Sequence, residues 1–258
     1  MPYPLPNFTT RLDGQVAIVT GASAGLGLRF SKVLAAAGAH VALMSRRLDK
    51  MEKLADEIRA AGGAAEPFAV DVTDAASLDN AVQQVADRLG LPQILINNAG
   101  IPDAARATKI PLDLIDKVLD TNLRAPFIMA REVARRLIDA KMSGRIVNIS
   151  SSAAYQYEGN GAALYSITKS GMVRLTEVLA VEWARFNINV TGIAPGAFSS
   201  EMMDGMLERV GEGMIEAFAR KRICDPAQMD STLLFLVSPA SECVTGTTVR
   251  IDDGQGYR

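Results

Sequence analysis

Short apolar runs alternate along the chain with longer stretches whose apolar residues recur every three or four positions. Gln15–Thr20 (QVAIVT) reads as a buried strand, followed by an alanine-rich helix over Leu26–Ala37 that Gly38 closes. Val41–Met44 is a second strand. Leu48–Ala61 is amphipathic, with Met51, Leu54, Ala55 and Ile58 on one side and Gly62-Gly63 as its stop. Glu66–Val72 reads as a third strand, with Asp74 capping a helix that runs to about Leu89. Further strands are predicted at Ile94–Asn97, Arg145–Ser150, Ile188–Ile193 and Thr248–Ile251. Leu112–Met142 is a long helical region that Pro126 bends or divides, and another helix extends from Ala163 to about Phe186. Strands separated by helical stretches predict βαβ units: a mainly parallel, seven-stranded sheet with helices on both faces. No repeat or linker divides the chain. The expectation is a short extended arm over residues 1–11 and one domain over 12–258.

Composition narrows the possibilities. The 258 residues are 48% hydrophobic and 22% charged, which supports a sizeable core and argues against disorder. A net charge of −2 and the absence of polybasic runs give no case for nucleic acid or an anionic membrane. No apolar run approaches the ~18 residues of a membrane span. Cys224 and Cys243 stand far apart and read as reduced thiols in a cytoplasmic protein. His40 is the single histidine, so a histidine-based triad or a His-rich metal site is not expected.

Two motifs carry chemistry. The first strand runs into Thr20-Gly21-Ala22-Ser23-Ala24-Gly25-Leu26-Gly27 and then into a helix. Glycines there allow a tight turn and a close backbone approach to a pyrophosphate, at a helix N-terminus whose free N–H groups favour anions. The spacing is G-x-x-x-G-x-G, without the lysine of a P-loop. The second strand ends in Ser45-Arg46-Arg47, where an acidic residue would grip a ribose 2′-hydroxyl. A hydroxyl and two guanidiniums suit a 2′-phosphate instead, so NADP(H) is favoured over NAD(H). The second motif is Tyr165 with Lys169 four residues on. On a helix of ~3.6 residues per turn these share one face. An ammonium beside a phenol favours the phenolate and makes a proton donor and acceptor for an alcohol or ketone oxygen.

These motifs resemble, nearly end to end from Leu12 to Gly254, the short-chain dehydrogenase/reductase family in its roughly 250-residue branch. The resemblance rests on Thr20–Gly27, Asp71-Val72, Asn97-Asn98-Ala99-Gly100, Asn122, Ser150-Ser151-Ser152, Tyr165/Lys169, Pro195-Gly196 and Thr245-Gly246. It implies a doubly wound Rossmann-type domain and transfer of a hydride between nicotinamide and a carbonyl or secondary alcohol. By resemblance Tyr165 is the acid/base, Lys169 lowers its pKa and binds the nicotinamide ribose, a serine polarises the carbonyl, and Asn122 positions a water behind Lys169. Gly21, Ser23, Gly25, Leu26 and Gly27 would hold pyrophosphate, Ser45 and Arg46 the 2′-phosphate, Asp71 and Val72 the adenine. Asn98, Ala99 and Gly100 would pass a ribose, with Pro195, Gly196, Phe198 and Ser200 along the nicotinamide. The family's usual spacing selects Ser152 as the serine, whereas the strand register selects Ser151, which we favour. Near its C-terminus the chain reads Ile251-Asp252-Asp253-Gly254-Gln255 where the family commonly has Asp-Gly-Gly.

Three segments should reach the substrate: Ile101–Arg106, Ala153–Asn160, and the stretch after Gly196 that holds Met202, Met203, Met206, Leu207, Met214 and Phe218. The last reads either as an adaptable lid over an apolar ketone or as a helix face packed on the core. Tyr155 and Tyr157 could shape the pocket, while Arg106 and Glu158 are expected in solvent. The resemblance further implies a homotetramer, or a homodimer, built on the helices of 112–142 and 164–186. Within the class, a 3-oxoacyl thioester reductase, an NAD-dependent sugar or polyol dehydrogenase and a hydroxysteroid-type enzyme stay open. A nucleotide-sensing or scaffold protein that has lost the chemistry is the alternative from another class.

Overall fold

A computed structural model describes residues 9–157, 159, 161–211 and 213–256. Of the expected N-terminal arm, only residues 9–11 fall within that range, and Glu158 and Asn160 lie outside it. Seven strands form one parallel sheet in the order β3-β2-β1-β4-β5-β6-β7. They are β1 (Val16–Thr20), β2 (His40–Ser45), β3 (Ala64–Ala69), β4 (Pro92–Asn97), β5 (Gly144–Ile149), β6 (Ile188–Pro195) and β7 (Thr248–Ile251). The helices are α1 (Gly25–Ala36), α2 (Leu48–Ala60), α3 (Leu78–Leu89), α4 (Leu112–Leu119), α5 (Ala125–Asp139), α6 (Ala163–Trp183), α7 (Glu201–Val210), α8 (Gly213–Glu216) and α9 (Asp230–Val237).

Alternation along β1 shows why helices cover both faces. Ala17 and Val19 pack with Leu34, Leu54 and Leu233 from α1, α2 and α9. Val16 and Ile18 pack with Val82, Val133 and Leu179 from α3, α5 and α6. Successive side chains point to opposite faces of a strand, so an all-apolar strand needs a core on each. The chain reverses direction across the sheet between β1 and β4, and such a switch point opens a crevice at the carboxyl ends of the strands.

Three local expectations need correction. β3 covers Ala64–Ala69 instead of Glu66–Val72, because its partner β2 ends at Ser45 opposite Ala69. Pro67 is tolerated there since β3 is the sheet edge. Asp71 already lies in a turn, its Oδ1 accepting from Thr73 N (3.0 Å) and Thr73 Oγ1 (2.8 Å). Asp74 does not cap α3: Ser77 is the flanking residue, and its hydroxyl donates to the Asp74 carbonyl at 2.9 Å. Finally, the division in the 112–142 stretch precedes Pro126. A π-helical turn over Asp120–Arg124 joins α4 to α5, and Pro126 sits in the first turn of α5, where its missing N–H costs nothing.

Candidate active site

The glycine turn is built for a close approach. Gly21 and Gly25 have φ of +66° and +53°, the left-handed region where a side chain is strained. A Cβ on Gly21 would stand 3.0 Å from the Ala99 Cα, and one on Gly27 would run into the Gly21 carbonyl and the Asn98 amide nitrogen at 2.5 Å. Asn98 locks the turn from β4 by donating through Nδ2 to the Thr20 carbonyl at 3.0 Å. The Thr20 hydroxyl accepts from Asn98 N (3.0 Å) and Ala99 N (3.1 Å). Residue Ala24 gives α1 no side-chain cap, and no acidic residue stands in its first turn. These amides and the glycine cradle fit a dinucleotide pyrophosphate.

At the end of β2 the two guanidiniums part. Arg46 is exposed, its Nη1 3.9 Å from the Asp71 carboxylate. Arg47 turns inward, donating through Nε to Ser23 Oγ at 3.0 Å, and Ser23 Oγ lies 2.8 Å from Ser45 Oγ. The inward partner is thus Arg47, which the sequence presents only as one of a pair. Val72 is half-buried beyond β3, against the face covered by α3, α5 and α6.

Tyr165 stands in the first turn of α6, half-buried, and Lys169 follows one turn later, 3% exposed. Reciprocal bonds clamp α6 to the end of β5. Lys169 Nζ donates to the Ile149 carbonyl (2.8 Å), and Ser150 Oγ donates to the Lys169 carbonyl (2.7 Å). Ser166 and Ser170, four residues apart on the same helix, donate to the carbonyls of Ala153 (2.5 Å) and Ala154 (2.8 Å). These bonds pin the 3-10 turn Ser152–Ala154 against α6. Ser151, just before that turn, accepts from Ala153 N at 3.1 Å, and its side chain also acts on the Tyr165 phenol. Ser152, which the family's usual spacing selects, is the first residue of that turn.

Asn122 lies within the π-turn, fully buried. Its Oδ1 accepts from Ile101 N (2.9 Å), while Nδ2 donates to the Ile101 carbonyl (2.9 Å) and to Thr168 Oγ1 (3.2 Å). Gly100 packs beside it: a Cβ there would lie 3.4 Å from Lys169 Nζ and 3.5 Å from Asn122 Oδ1. Behind the site, Asn97 donates to Asn148 Oδ1 (2.9 Å) and Asn148 to Thr176 Oγ1 (3.0 Å), a buried polar chain from β4 through β5 to α6.

Burial dominates the electrostatics of the pair. Burial pushes the Tyr165 phenol up, the Ser151 side chain pulls it back, and the Asp103 carboxylate adds to the rise. The Lys169 ammonium is directed to the Ile149 carbonyl, 5.5 Å from the centre of the Tyr165 ring, and burial pushes Lys169 itself down to about 8. Asp103, from the loop after β4, is 3% exposed and escaped the sequence reading. An acidic residue five positions past Asn98 is a signal only once the loop is known to reach α6.

Pro195 ends β6, and Gly196 N donates to the Ile251 carbonyl at 2.9 Å. A Cβ on Gly196 would collide with the Gln255 side chain, which accepts from Ala197 N at 2.6 Å. Asp253 takes φ +52° where the family commonly has glycine, and its carboxylate binds Arg220 (2.9 Å) and Arg222 (2.7 Å). The departure at the C-terminal turn therefore leaves that turn formed. Phe198 is buried, and Ser200 caps α7 by accepting from Met203 N at 3.2 Å. None of α7 is buried; Met203, Met206 and Leu207 form its half-buried side and Met202 is exposed. The reading of this stretch as a core-packed face holds only at Phe218. Tyr155, Tyr157 and Arg106 are exposed, and Tyr155 lies under the Arg250 guanidinium at 4.8 Å.

This fold and site define a dinucleotide-dependent oxidoreductase, and comparison with known proteins agrees. The family model described as short chain dehydrogenase matches residues 15–210, and the chain belongs to the short-chain dehydrogenase/reductase family. It is 34% identical over 252 residues to D-threitol dehydrogenase of Mycolicibacterium smegmatis, covering 96% of this chain and 95% of that protein. A short-chain type dehydrogenase/reductase from Mycobacterium marinum superposes with a TM-score of 0.92 at 30% identity, covering 97% and 98% of the two chains. A structure from Agrobacterium tumefaciens with bound NADP gives 0.88 at 31%, covering 96% and 99%. The protein is an oxidoreductase that transfers hydride, so the non-catalytic sensor or scaffold is set aside. Among the described residues no helix is long and apolar enough to cross a membrane.

Proposed function

We propose that the protein interconverts a secondary alcohol and its ketone with NADP(H), using Tyr165 as general acid and base. The observation that supports this most is the clamp that holds the helix of Tyr165 and Lys169 to the end of β5 next to Ser151, two strands from the one that leads into the glycine turn. Gly21, Ser23, Gly25, Leu26 and Gly27 would hold the pyrophosphate, Ser45, Arg46 and Arg47 the 2′-phosphate, Asp71 and Val72 the adenine. Asn98, Ala99 and Gly100 would border a ribose; Pro195, Gly196, Phe198 and Ser200 the nicotinamide. Bound there, the nicotinamide supplies or accepts the hydride.

Tyr165 gives its phenolic proton to the substrate oxygen in reduction and takes it back in oxidation. Its raised pKa keeps it protonated at neutral pH, which suits the reductive direction. Ser151 bonds the same oxygen and fixes it against the phenol. Lys169, with a pKa of about 8, replenishes the proton, and Asn122 holds the wall of Ile101 and Thr168 behind it. A second reading, an NAD-dependent polyol dehydrogenase, is favoured by the likeness to D-threitol dehydrogenase. Parallel assays with NADPH and NADH against ketones, β-keto thioesters and ketoses separate the two. In the same assays Arg46→Ala should weaken NADPH far more than NADH; equal effects would remove Arg46 from the 2′-phosphate assignment.

The exposed apolar side chains Phe127, Val178 and Val181 on α5 and α6 support an interface between copies, for which the family resemblance implies a homotetramer or a homodimer. Cys224 and Cys243 are free, which favours a reducing, cytoplasmic setting.

A further inference from the structure

Glu201 is the first residue of α7, next to Ser200, whose Cβ would sit 3.2 Å from a Cβ on Gly25. The start of α7 therefore abuts the glycine turn. The Glu201 carboxylate accepts from Arg47 Nη1 at 3.0 and 3.3 Å and from Lys50 Nζ at 3.0 Å. Arg47 in turn reaches Ser23, and Ser23 reaches Ser45. One continuous polar chain thus ties the helix beyond β6 to the corner where β2 ends. Lys50 and Arg47 hold the Glu201 carboxyl below the usual carboxylate range, as expected for an anion between two cations.

That corner is where the proposed function puts the 2′-phosphate. A phosphate there needs the guanidinium that Glu201 already engages, and it sets a second anion beside the first. An unphosphorylated adenosine ribose makes no such demand. We propose that Glu201 is a specificity-determining residue for the cofactor, competing with the 2′-phosphate for Arg47 and Lys50 and tethering α7 until the phosphate displaces it. It makes the enzyme bind NADP(H) less tightly than its basic corner alone would, and it couples release of α7 to the phosphorylated cofactor. The inference rests on the NADP(H) reading of the corner.

Half-exposed ion pairs contribute little each, so the expected effect is moderate. Affinities of the full-length protein for adenosine 2′,5′-bisphosphate and 5′-AMP, measured by calorimetry, test it in wild type, Glu201→Gln, Arg47→Ala and the double variant. Glu201→Gln should tighten the bisphosphate about fivefold and change AMP by less than about twofold. Arg47→Ala should remove most of that gain, the coupling expected of residues that share a partner. Unchanged or weaker bisphosphate binding in Glu201→Gln, or equal tightening of AMP, overturns the inference. A wild type that does not distinguish the two nucleotides overturns the NADP(H) reading and the inference together. Discrimination by wild type without a Glu201→Gln gain overturns the inference alone.

Discussion

Asp103 Oδ2 lies 3.3 Å from the backbone nitrogen of Tyr165 and 2.8 Å from that of Leu164, so a carboxylate from the β4 loop caps the helix that carries the candidate acid/base. Residue Ala162 offers α6 no side-chain cap of its own. Among the described residues Asp103 Oδ1 is buried without a hydrogen-bond partner. Asp103→Asn keeps an acceptor and removes the charge. Since the carboxylate raises the phenol pKa, the variant should move the pH dependence of turnover to lower pH while staying folded. Asp103→Ala loses the cap and should lose about 1–2 kcal/mol in denaturant unfolding. A pH profile that does not move in Asp103→Asn would show that the charge does not reach the phenol.

Lys169 should leave a signature in stability against pH. Its pKa falls from an ordinary 10.5 to about 8 in the folded protein because burial disfavours the ammonium. Below about pH 8 both states bind the proton and the folded one bears the full burial cost. Between about 8 and 10.5 the unfolded state binds more protons, so stability from this group rises with pH. Wild type should therefore gain on Lys169→Met across that window in melting temperature. A difference independent of pH would contradict the assigned burial cost.

Gly27→Ala tests the cradle. Alanine within a helix would ordinarily stabilise it by about 1 kcal/mol relative to glycine. Here the added methyl meets the Gly21 carbonyl and Asn98, so the expected sign is reversed, with a loss of roughly 1–3 kcal/mol and weakened nucleotide binding. A more stable variant would mean that the turn can open.

The apolar recess of Leu119, Leu123, Phe127, Leu175 and Val178 lies between α4, α5 and α6. If it is an interface between copies, Val178→Asp should lower the mass measured by light scattering without unfolding the protein. A wild-type monomer would remove the assembly proposal.

Periodicity made the sheet and its helices legible because β1, β2, β4, β5 and β6 are short, largely apolar runs and Tyr165 falls on a clear helical stretch. The same logic failed where tertiary contacts decide. β3 stops at Ala69 because β2 stops at Ser45, and α3 starts only after Ser77, with no side-chain cap, because local turn bonds hold Asp74 to Ser77. The glycine turn is legible from its spacing, Asn98 only through the family resemblance, and Ser151 is an expectation from the strand register. Asp103, Arg47 facing Ser23, and Glu201 are not legible, because their partners lie 62, 24 and 154 residues away. The same reasoning explains Lys169: spacing puts it on the Tyr165 face, but the Ile149 carbonyl decides where the ammonium points.

Replacing Tyr165 by phenylalanine removes one hydroxyl and leaves the clamp at Lys169, Ser150 and Ser166 intact. The decisive measurement is NADPH-linked turnover of the best ketone by Tyr165→Phe, alongside its NADPH affinity. We expect turnover to fall by about 10²–10⁴ while affinity stays within about twofold. Turnover at the wild-type rate with cofactor bound would contradict Tyr165 as the proton donor.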